Sequence, residues 1–435
     1  MITAPGGLPL AGHALDLLRR PIEFLTEMRD LGPVVRFRLG PKDAYLVTTP
    51  DAVREVLITQ LSAFGKGGAL IDTAREVVGN GIGTSDGAEH RKNRKMAQPA
   101  FHHQRIASYT AAMAGIASQK ATSWLPGLRL SMPEEMHALS AAILAKTLIT
   151  TDVDAPGVLS RALPELVAGI GRRTYLPVKW VHRLPLPVNR RYTTARRALS
   201  GLVLDTIAEY RAAPGDRGDL LSMLMTSVDD DGAGMSDAQL HDEILTMMFG
   251  GTATSAETLV WLFHVLATHP EISEKVVAEI DDVVGERLVE HADLPALEHT
   301  GRVITEALRR YPAIWLTSRY ANRATTVAGQ DIPAGADVFY SPHLLHHDPR
   351  SFSRPEEFDP DRWLPERAAE SPRHAYIPFS SGFRKCIGDS FARTEIMVAL
   401  VAVLQRWRLV QVGEAVPACD TTYRLKKSVM RVERR

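Results

Sequence analysis

The chain has 435 residues, of which 45% are hydrophobic and 23% charged, so it can bury a large core and is not expected to be disordered. Lysine plus arginine and aspartate plus glutamate both total 51, a balance that gives no overall field to attract nucleic acid or an anionic membrane. No apolar run has signal-peptide character or approaches the roughly 20 residues that span a bilayer. We therefore expect a cytoplasmic protein without a membrane anchor or a nucleic-acid partner.

The chain contains two cysteines, Cys386 and Cys419. They are too few for a disulfide framework and lack the paired spacing of a zinc site, so each thiol needs its own explanation. No internal repeat and no low-complexity linker divides the chain. We therefore predict one domain over residues 1–435.

In chain order, an amphipathic helix is predicted near Pro21 to Leu31, and β-strands are predicted within about 33–50. Helical periodicity then dominates about 50–312. Short β-prone runs punctuated by glycine and proline occupy about 320–345, and a last helical stretch of about 386–408 precedes a β-prone C-terminal segment. The pattern predicts a mainly α fold with a small β subdomain.

One predicted helix has clear ends. Ser236 followed by Gln239 has the form of a capping box, and Thr268 stands just before a His-Pro pair that closes the pattern. At ~1.5 Å per residue, roughly thirty residues give a helix about 45 to 50 Å long. Because its apolar residues lie on several faces, this helix is expected to cross the core.

A long irregular connection, of a kind that is usually functional, ends directly at Cys386. The cysteine precedes a helical segment, so backbone N–H groups together with Arg384 and Lys385 should favour the thiolate. Gly382 and Gly388 would let a flat macrocycle approach the backbone closely. A buried structural cysteine is the alternative interpretation of a lone thiol.

These residues fit a longer motif. Phe379, Gly382, Arg384, Cys386 and Gly388 occur in the order F-x-x-G-x-R-x-C-x-G, which resembles the cysteine-ligand loop of cytochromes P450. The resemblance implies the cytochrome P450 fold, with the long central helix crossing above a haem b. It also implies Cys386 as the axial ligand of the iron, with Phe379 covering the sulfur.

Two further motifs are consistent with this resemblance. Glu306 and Arg309, one helical turn apart, would form an exposed pair if they stood alone. In the family, such an E-x-x-R pair binds an arginine of the later loop, for which Arg362 stands at the matching place. This trio would be a structural lock that fixes the loop carrying the cysteine.

The second motif is H-x-x-x-R, formed by His90 and Arg94. By analogy with the family, these two residues, with Arg319 and Arg384, would bind the haem propionates. Arginine suits this role because its planar fork can donate to both carboxylate oxygens. Without the cysteine loop, the same residues would indicate an exposed basic helix.

The long helix contains the segment FGGTATSAET, which is similar to the family's oxygen-binding segment. Gly250 and Gly251 would permit a local opening of the helix for dioxygen, and Thr254 is expected to hydrogen-bond dioxygen and relay protons. Ala253 stands where most members have an acid. Either water reaches Thr254 by another route, such as past Glu257, or the substrate organises the water.

The substrate pocket is expected to include Met247 on the long helix, together with Ala313, Ile314 and Trp315. Their apolar side chains suggest a hydrocarbon-like ligand. Short segments of the sequence are similar to those of actinobacterial members that oxidise sesquiterpenes. Macrolides, fatty acids and steroids remain alternative substrates.

No flavin or nicotinamide domain is evident, so a ferredoxin and its reductase are the expected electron donors. Arg91, Lys92, Lys95 and Lys385 form a candidate basic patch for an acidic carrier. The predicted function is therefore a haem-thiolate monooxygenase. A peroxygenase or isomerase, or a non-catalytic haem sensor, are the alternatives.

Overall fold

The computed structural model describes residues 1–150, 154–175, 180–229, 231–370, 372 and 374–435. The helices in these residues are α1 Ala14–Arg19, α2 Pro21–Arg29, α3 Pro50–Arg54, α4 Gly68–Val78, α5 Gly87–Ala97, α6 His103–Thr122, α7 Met132–Leu148, α8 Ala155–Tyr175, α9 Pro187–Ala212, α10 Leu220–Thr226, α11 Asp237–Thr268, α12 Pro270–Val283, α13 Glu298–Arg310, α14 Pro342–His346, α15 Pro365–Ala368 and α16 Asp389–Leu404. The mainly α fold with a small β part is confirmed, whereas the assignment of residues 1–435 to one domain stays a prediction.

Three sheets accompany the helices within the described residues. The strands are β1 Ile2–Thr3, β2 Val34–Leu39, β3 Lys42–Val47, β4 Phe64–Gly65, β5 Arg129–Ser131, β6 Thr317–Ala321, β7 Thr325–Val327, β8 Gln330–Ile332, β9 Asp337–Tyr340, β10 Trp407–Cys419 and β11 Tyr423–Arg434. The largest sheet has the order β1-β2-β3-β9-β6-β4, a second has β10-β11-β5, and β7 pairs with β8.

The six-stranded sheet joins two distant parts of the chain. β3 pairs in parallel with β9, and β9 pairs antiparallel with β6. Apolar side chains from β2, β3 and β9 are buried on its faces, as expected for a sheet covered on both sides. The pairing therefore carries Arg319, on β6, to the edge of the central cavity described below.

The long helix α11 has the predicted ends. The Ser236 Oγ accepts the N–H of Gln239 at 3.3 Å, and the helix stops at Thr268, before the proline that starts α12. It packs against α7, α8, α9, α13, α16 and β11. A helix buried on most of its faces is stabilised mainly by apolar packing, so α11 forms the centre of the helical part.

The connection before Cys386 is less irregular than the sequence predicts. The predicted irregular stretch runs from about His346 to Gly382, and a helical turn at Pro360–Trp363 followed by α15 divides it. A further turn at Gly382–Arg384 ends it. Within the described residues, no helix has the combination of length and apolar character that crossing a bilayer requires.

Candidate active site

The cysteine loop is a tight turn that closes on itself. The Cys386 N–H donates to the Phe379 carbonyl oxygen at 2.9 Å, and Ser380 and Gly382 have φ of 60° and 73°. A Cβ on Gly382 would lie 2.4 Å from the carbonyl oxygen of Leu57. The missing side chain of Gly382 therefore allows this loop to pack closely against the segment after α3. This corrects the expectation that Gly382 makes room for a macrocycle beside the sulfur.

The electrostatics around Cys386 also differ from the prediction. Burial raises the pKa of its thiol, and the Gly388 N–H partly offsets this by lowering the pKa. The two neighbouring cations have acidic partners, since Arg384 donates to Asp86 at 2.6 Å and Lys385 pairs with Asp389. The protein by itself therefore favours the thiol, and a bound metal ion would be needed to favour the thiolate.

Cys386 opens into a cavity of about 480 Å³. Most residues that the sequence predicts for the site line it: His90, Arg94, Met247, Gly250, Gly251, Thr254, Ala313, Ile314, Arg319, Phe379, Arg384, Cys386 and Gly388. Val78, within the stretch 65–83 that the sequence indicates as a substrate-contact region, also lines it. The tertiary structure adds apolar walls from α7 and α8 that sequence reasoning missed: Leu144, Leu148 and Val167. The site is therefore an apolar chamber with one cationic side.

Trp315 lies outside this cavity. Its indole is 1% exposed, belongs to the same core cluster as Phe37, and donates to the Asp420 carbonyl oxygen at 2.8 Å. The preceding Ile314 is 39% exposed and lines the cavity, so the two neighbours point in opposite directions. The assignment of Trp315 to the substrate pocket is therefore corrected.

The tip of the β10-β11 hairpin reaches the cavity as well. Thr421 and Thr422 line it, and the Thr421 Oγ1 donates to the Val167 carbonyl oxygen of α8 at 3.0 Å. The sequence carries no local signal for this contact, because 254 positions separate the two residues.

Five lysine and arginine residues line the cavity. Arg94, Arg319 and Arg384 were predicted there, and Lys66 and Lys385 are the others. The Lys66 Nζ donates to the Ile82 carbonyl oxygen at 2.6 Å, and burial, followed by the charges of Arg319 and Arg384, lowers its pKa to about 7. This side of the cavity therefore favours an anionic group.

His90 provides a buried donor at the same place. Its Nδ1 lies 3.4 Å from the Lys66 Nζ and 3.2 Å from the Ile82 carbonyl oxygen. When Nδ1 accepts from Lys66 instead of donating to Ile82, Nε2 carries the proton. The Nε2 is buried without a partner in the protein. Burial, followed by the charge of Lys66, lowers the pKa of His90 to about 3, so the ring is neutral. An unpaired buried donor beside several cations fits a carboxylate.

The groups around the cavity fit haem b. Its iron would take the Cys386 sulfur, and its two propionates match the cations and the His90 donor. Among the described residues, no group of three or more histidine, cysteine or acidic side chains could hold a metal ion by itself.

The predicted lock residues meet below the cysteine loop. Arg309 donates to both oxygens of Glu306 at 2.8 Å, and Arg362 lies 3.5 Å from the same carboxylate. Trp363 and the Asp359 N–H also donate to Glu306, at 2.9 and 3.1 Å. The pair of Glu306 and Arg309 is fully buried, so this carboxylate is neutralised and satisfied on every side.

A histidine connects the lock to the cysteine loop. The His346 Nδ1 donates to the Arg309 carbonyl oxygen at 3.0 Å, and its Nε2 accepts the Ile377 N–H at 2.9 Å. Burial, followed by the charge of Arg309, lowers the pKa of His346 to about 3, which keeps the ring neutral for both bonds. No pattern in the sequence singled out His346.

The oxygen-binding segment stays helical throughout. The Thr254 Oγ1 donates to the Gly250 carbonyl oxygen at 2.7 Å. A Cβ on Gly251 would lie 2.9 Å from the Leu144 side chain of α7, whereas one on Gly250 would meet nothing within 4 Å. Gly251 therefore serves close helix packing and Gly250 leaves open space in the cavity, without the predicted break in the helix.

Ala253 lines the cavity and offers no proton. Glu257, the suggested substitute, is turned away, since its Oε1 lies 3.5 Å from the His137 Nε2 and it does not line the cavity. Burial raises the pKa of Glu257 to about 8. The geometry thus gives no route from Glu257 to Thr254.

A family model described as Cytochrome P450 matches residues 3–431. Cyclooctatin synthase of Streptomyces melanosporofaciens is 42% identical over 410 residues, which cover 93% of this chain and 89% of that protein. Cyclooctat-9-en-7-ol 5-monooxygenase of the same organism is also 42% identical, over 94% and 89% of the two chains. Pentalenene oxygenase of Streptomyces avermitilis is 38% identical, over 94% and 91%.

Proposed function

Because this chain belongs to the cytochrome P450 family, a haem-thiolate monooxygenase family, we propose that it inserts one oxygen atom of dioxygen into an apolar terpene. The observation that carries the substrate class is the cavity lining, which includes aliphatic side chains from α4, α7 and α8. Such a wall selects ligands by shape rather than by hydrogen bonds. The relatives named for cyclooctatin, cyclooctat-9-en-7-ol and pentalenene support the same class.

In this proposal Cys386 provides the iron ligand, and His90, Arg94, Arg319, Arg384 and Lys66 hold the propionates. The bound haem supplies dioxygen activation, to which the thiolate contributes electron density. The aliphatic walls exclude water from the reacting carbon and hold the substrate close to the iron.

Thr254 is the proposed proton-handling residue on the oxygen side. Its hydroxyl faces the cavity and donates to the Gly250 carbonyl oxygen. A hydroxyl that donates in this bond can still accept a hydrogen bond from a proton donor through its lone pairs. Rotation about the Cβ–Oγ1 bond would then let it pass a proton on.

Cytochromes P450 receive electrons from redox partners. We propose a ferredoxin and its reductase for this chain. Arg91 and Lys95, exposed on α5, and the exposed Lys385 of the cysteine loop would form the docking patch. An acidic carrier would be steered toward such a patch by its charge.

The experiment supplies purified protein with ferredoxin, ferredoxin reductase, NADPH, isotopically labelled dioxygen and a polycyclic terpene hydrocarbon. The expected product is an alcohol that carries one labelled oxygen atom. A parallel reaction with hydrogen peroxide alone tests the peroxygenase alternative. Efficient turnover in that reaction combined with none from dioxygen would contradict the proposal.

A further inference from the structure

Glu243 is a buried acid that has no part in the proposed function as described so far. It lies on α11 with a fully buried side chain, and its Oε2 accepts the Ile82 N–H at 2.9 Å. Its Oε1 has no hydrogen-bond partner among the described residues. Burying a carboxylate with a single hydrogen bond from the protein is costly, so the presence of Glu243 calls for an explanation.

The segment that Glu243 holds, residues 79–86, joins α4 to α5 and forms part of the cavity wall. A second acid of α11 holds it two residues earlier, since the Asn80 N–H donates to the Asp242 carboxylate at 2.7 Å. Of the two anchored residues, Ile82 lines the cavity. Glu243 therefore fixes the place where this segment meets the cavity.

Ile82 connects Glu243 to Lys66. Its N–H donates to the carboxylate, and its carbonyl oxygen accepts the Lys66 Nζ at 2.6 Å. Burial, followed by the charges of two arginines, lowers the pKa of Lys66 to about 7, while the charges of Asp86 and Glu243 raise it in part. Glu243 therefore supports Lys66 in two ways, because it holds the residue that accepts from Lys66 and it favours the charged ammonium group.

Lys66 in turn influences which nitrogen of His90 carries the proton. An ammonium group has three donors and no acceptor, so the 3.4 Å contact between the Lys66 Nζ and the His90 Nδ1 is a hydrogen bond only when Nδ1 accepts. The other tautomer would donate from Nδ1 to the Ile82 carbonyl oxygen, which already accepts the shorter bond from Lys66. A charged Lys66 therefore favours the proton on Nε2, the nitrogen that lacks a partner.

We propose that Glu243 is a positioning residue for the haem propionates. By holding Ile82 and Lys66 in place, it keeps His90 in the tautomer that donates from Nε2. Because Ile82 and His90 take two donors of the ammonium group, the third stays available for a propionate. The proposal rests on the proposed place of the propionates beside His90 and Lys66. Glu243 acts on them only through Lys66, so its effect should disappear when Lys66 is removed.

The first test is a double-mutant cycle on the rate of haem transfer to an acceptor protein. Glu243→Met removes both carboxylate oxygens and should lose haem about tenfold faster than the wild-type protein, as expected for one charge-assisted hydrogen bond. Added to Lys66→Met, it should change the rate by less than about twofold, because its effect passes through Lys66. Fully additive effects in the double variant would overturn the proposal.

Asp242→Leu is the matched control, because it removes the other acid that anchors the same segment to α11. The Asp242 carboxylate accepts the Asn80 N–H instead of the Ile82 N–H. Any effect of Asp242→Leu on haem loss should therefore add to that of Lys66→Met. An effect of Asp242→Leu that also disappears in the Lys66→Met background would contradict a specific role of Glu243.

A second readout depends on neither haem loss nor turnover. The propionate bending band of the resonance Raman spectrum reports hydrogen bonds to the propionates. This band should shift in Lys66→Met and Glu243→Met and keep its position in Asp242→Leu. Glu243→Gln should largely restore it, because the amide oxygen can still accept the Ile82 N–H. A band that Glu243→Met leaves unchanged, or that Glu243→Gln does not restore, would overturn the proposal.

The outcomes separate this proposal from the ones on which it rests. A propionate band unchanged in Lys66→Met would contradict the proposed place of the propionates and, with it, the role of Glu243. A band that shifts in Lys66→Met but not in Glu243→Met would contradict only the role of Glu243. Failure of the wild-type protein to oxidise a terpene would contradict the proposed monooxygenase function and would change neither readout.

A further variant covers the case in which Glu243→Met does not take up haem. Glu243→Asp keeps a buried carboxylate and withdraws it from Ile82 by one carbon atom. The same cycle and the same Raman band then decide, with the same expected direction of change. Wild-type haem retention and a wild-type band in Glu243→Asp would overturn the proposal.

Discussion

The two cysteines of this chain differ in their access to the cavity. Cys386 opens into the cavity beside cationic residues. Cys419 lies half-buried at the end of β10, where burial, followed by the charge of Asp420, raises the pKa of its thiol. Burial raises the pKa of the Cys386 thiol as well, so access decides between them: Cys386 lines the cavity and Cys419 does not, which makes Cys386 the candidate metal ligand.

Replacement of Cys386 by serine should abolish thiolate ligation. We expect the reduced protein with carbon monoxide to lose its strongly red-shifted Soret band, because a hydroxyl is a much weaker donor to iron than a thiolate. Cys419→Ser is the matched control and should retain the band. A red-shifted band that survives in Cys386→Ser would refute the assignment of the ligand.

Lys66 is a second residue whose surroundings suggest a role. It is held by the Ile82 carbonyl oxygen, and its charge is disfavoured by burial and by two arginines. A propionate would compensate that charge, so Lys66→Met should lose haem about tenfold faster, as expected for one charge-assisted hydrogen bond. Transfer of haem to an acceptor protein measures the rate, with the exposed Lys427→Met as the control.

Among the elements, α13 and the cysteine loop are joined by the buried lock. Removal of one partner leaves a buried charge uncompensated. We expect Arg362→Met to reduce the free energy of unfolding by about 3 to 5 kcal/mol, because Arg362 is 5% exposed beside the fully buried Glu306. Arg354→Met, at an exposed ion pair of the same loop, should cost less than about 1 kcal/mol. Urea unfolding measures both.

The hydrogen bonds of His346, which join α13 to the segment before the cysteine loop, should make the free energy of unfolding depend on pH. Its folded-state pKa of about 3 lies below the ordinary value of 6.5, so protonation favours the unfolded chain. Its contribution to stability is therefore complete above pH 6.5 and is lost as the pH falls from there toward 3. Between pH 7 and pH 5, His346 should account for about 2 kcal/mol of lost stability.

The pH dependence of urea unfolding tests this assignment. His346→Gln should be less stable at pH 7 but should lose less stability on acidification than the wild-type protein. The exposed His103→Gln should follow the wild-type curve. Parallel curves for the wild-type protein and His346→Gln would show that other groups cause the acid sensitivity.

For the whole molecule, the formal net charge is zero, so a redox partner can be attracted only by a local patch. We expect the double variant Arg91→Glu and Lys95→Glu to slow reduction by ferredoxin about tenfold at low salt, with a smaller effect as the salt concentration rises. Stopped-flow reduction in the presence of carbon monoxide measures the rate. The double variant Lys275→Glu and Lys427→Glu, which makes the same charge change at exposed positions of α12 and β11, should have no such effect.

Local patterns in the sequence determined much of this protein. The ends of α11 depend on residues within one turn of each end, and the cysteine loop depends on a motif of ten consecutive positions. The resemblance carried by that motif also pointed to Glu306, Arg309 and Arg362, which the structure brings together. Such features can be read from the sequence because their determinants are local or belong to one shared motif.

Other properties were decided only by the tertiary structure. The direction of Trp315, the close contact at Gly382, the pKa of Cys386, and the place of Lys66 beside the other cations depend on segments that are distant in sequence. Burial and electrostatic potential are sums over all neighbours in space, so no local pattern in the sequence could specify them.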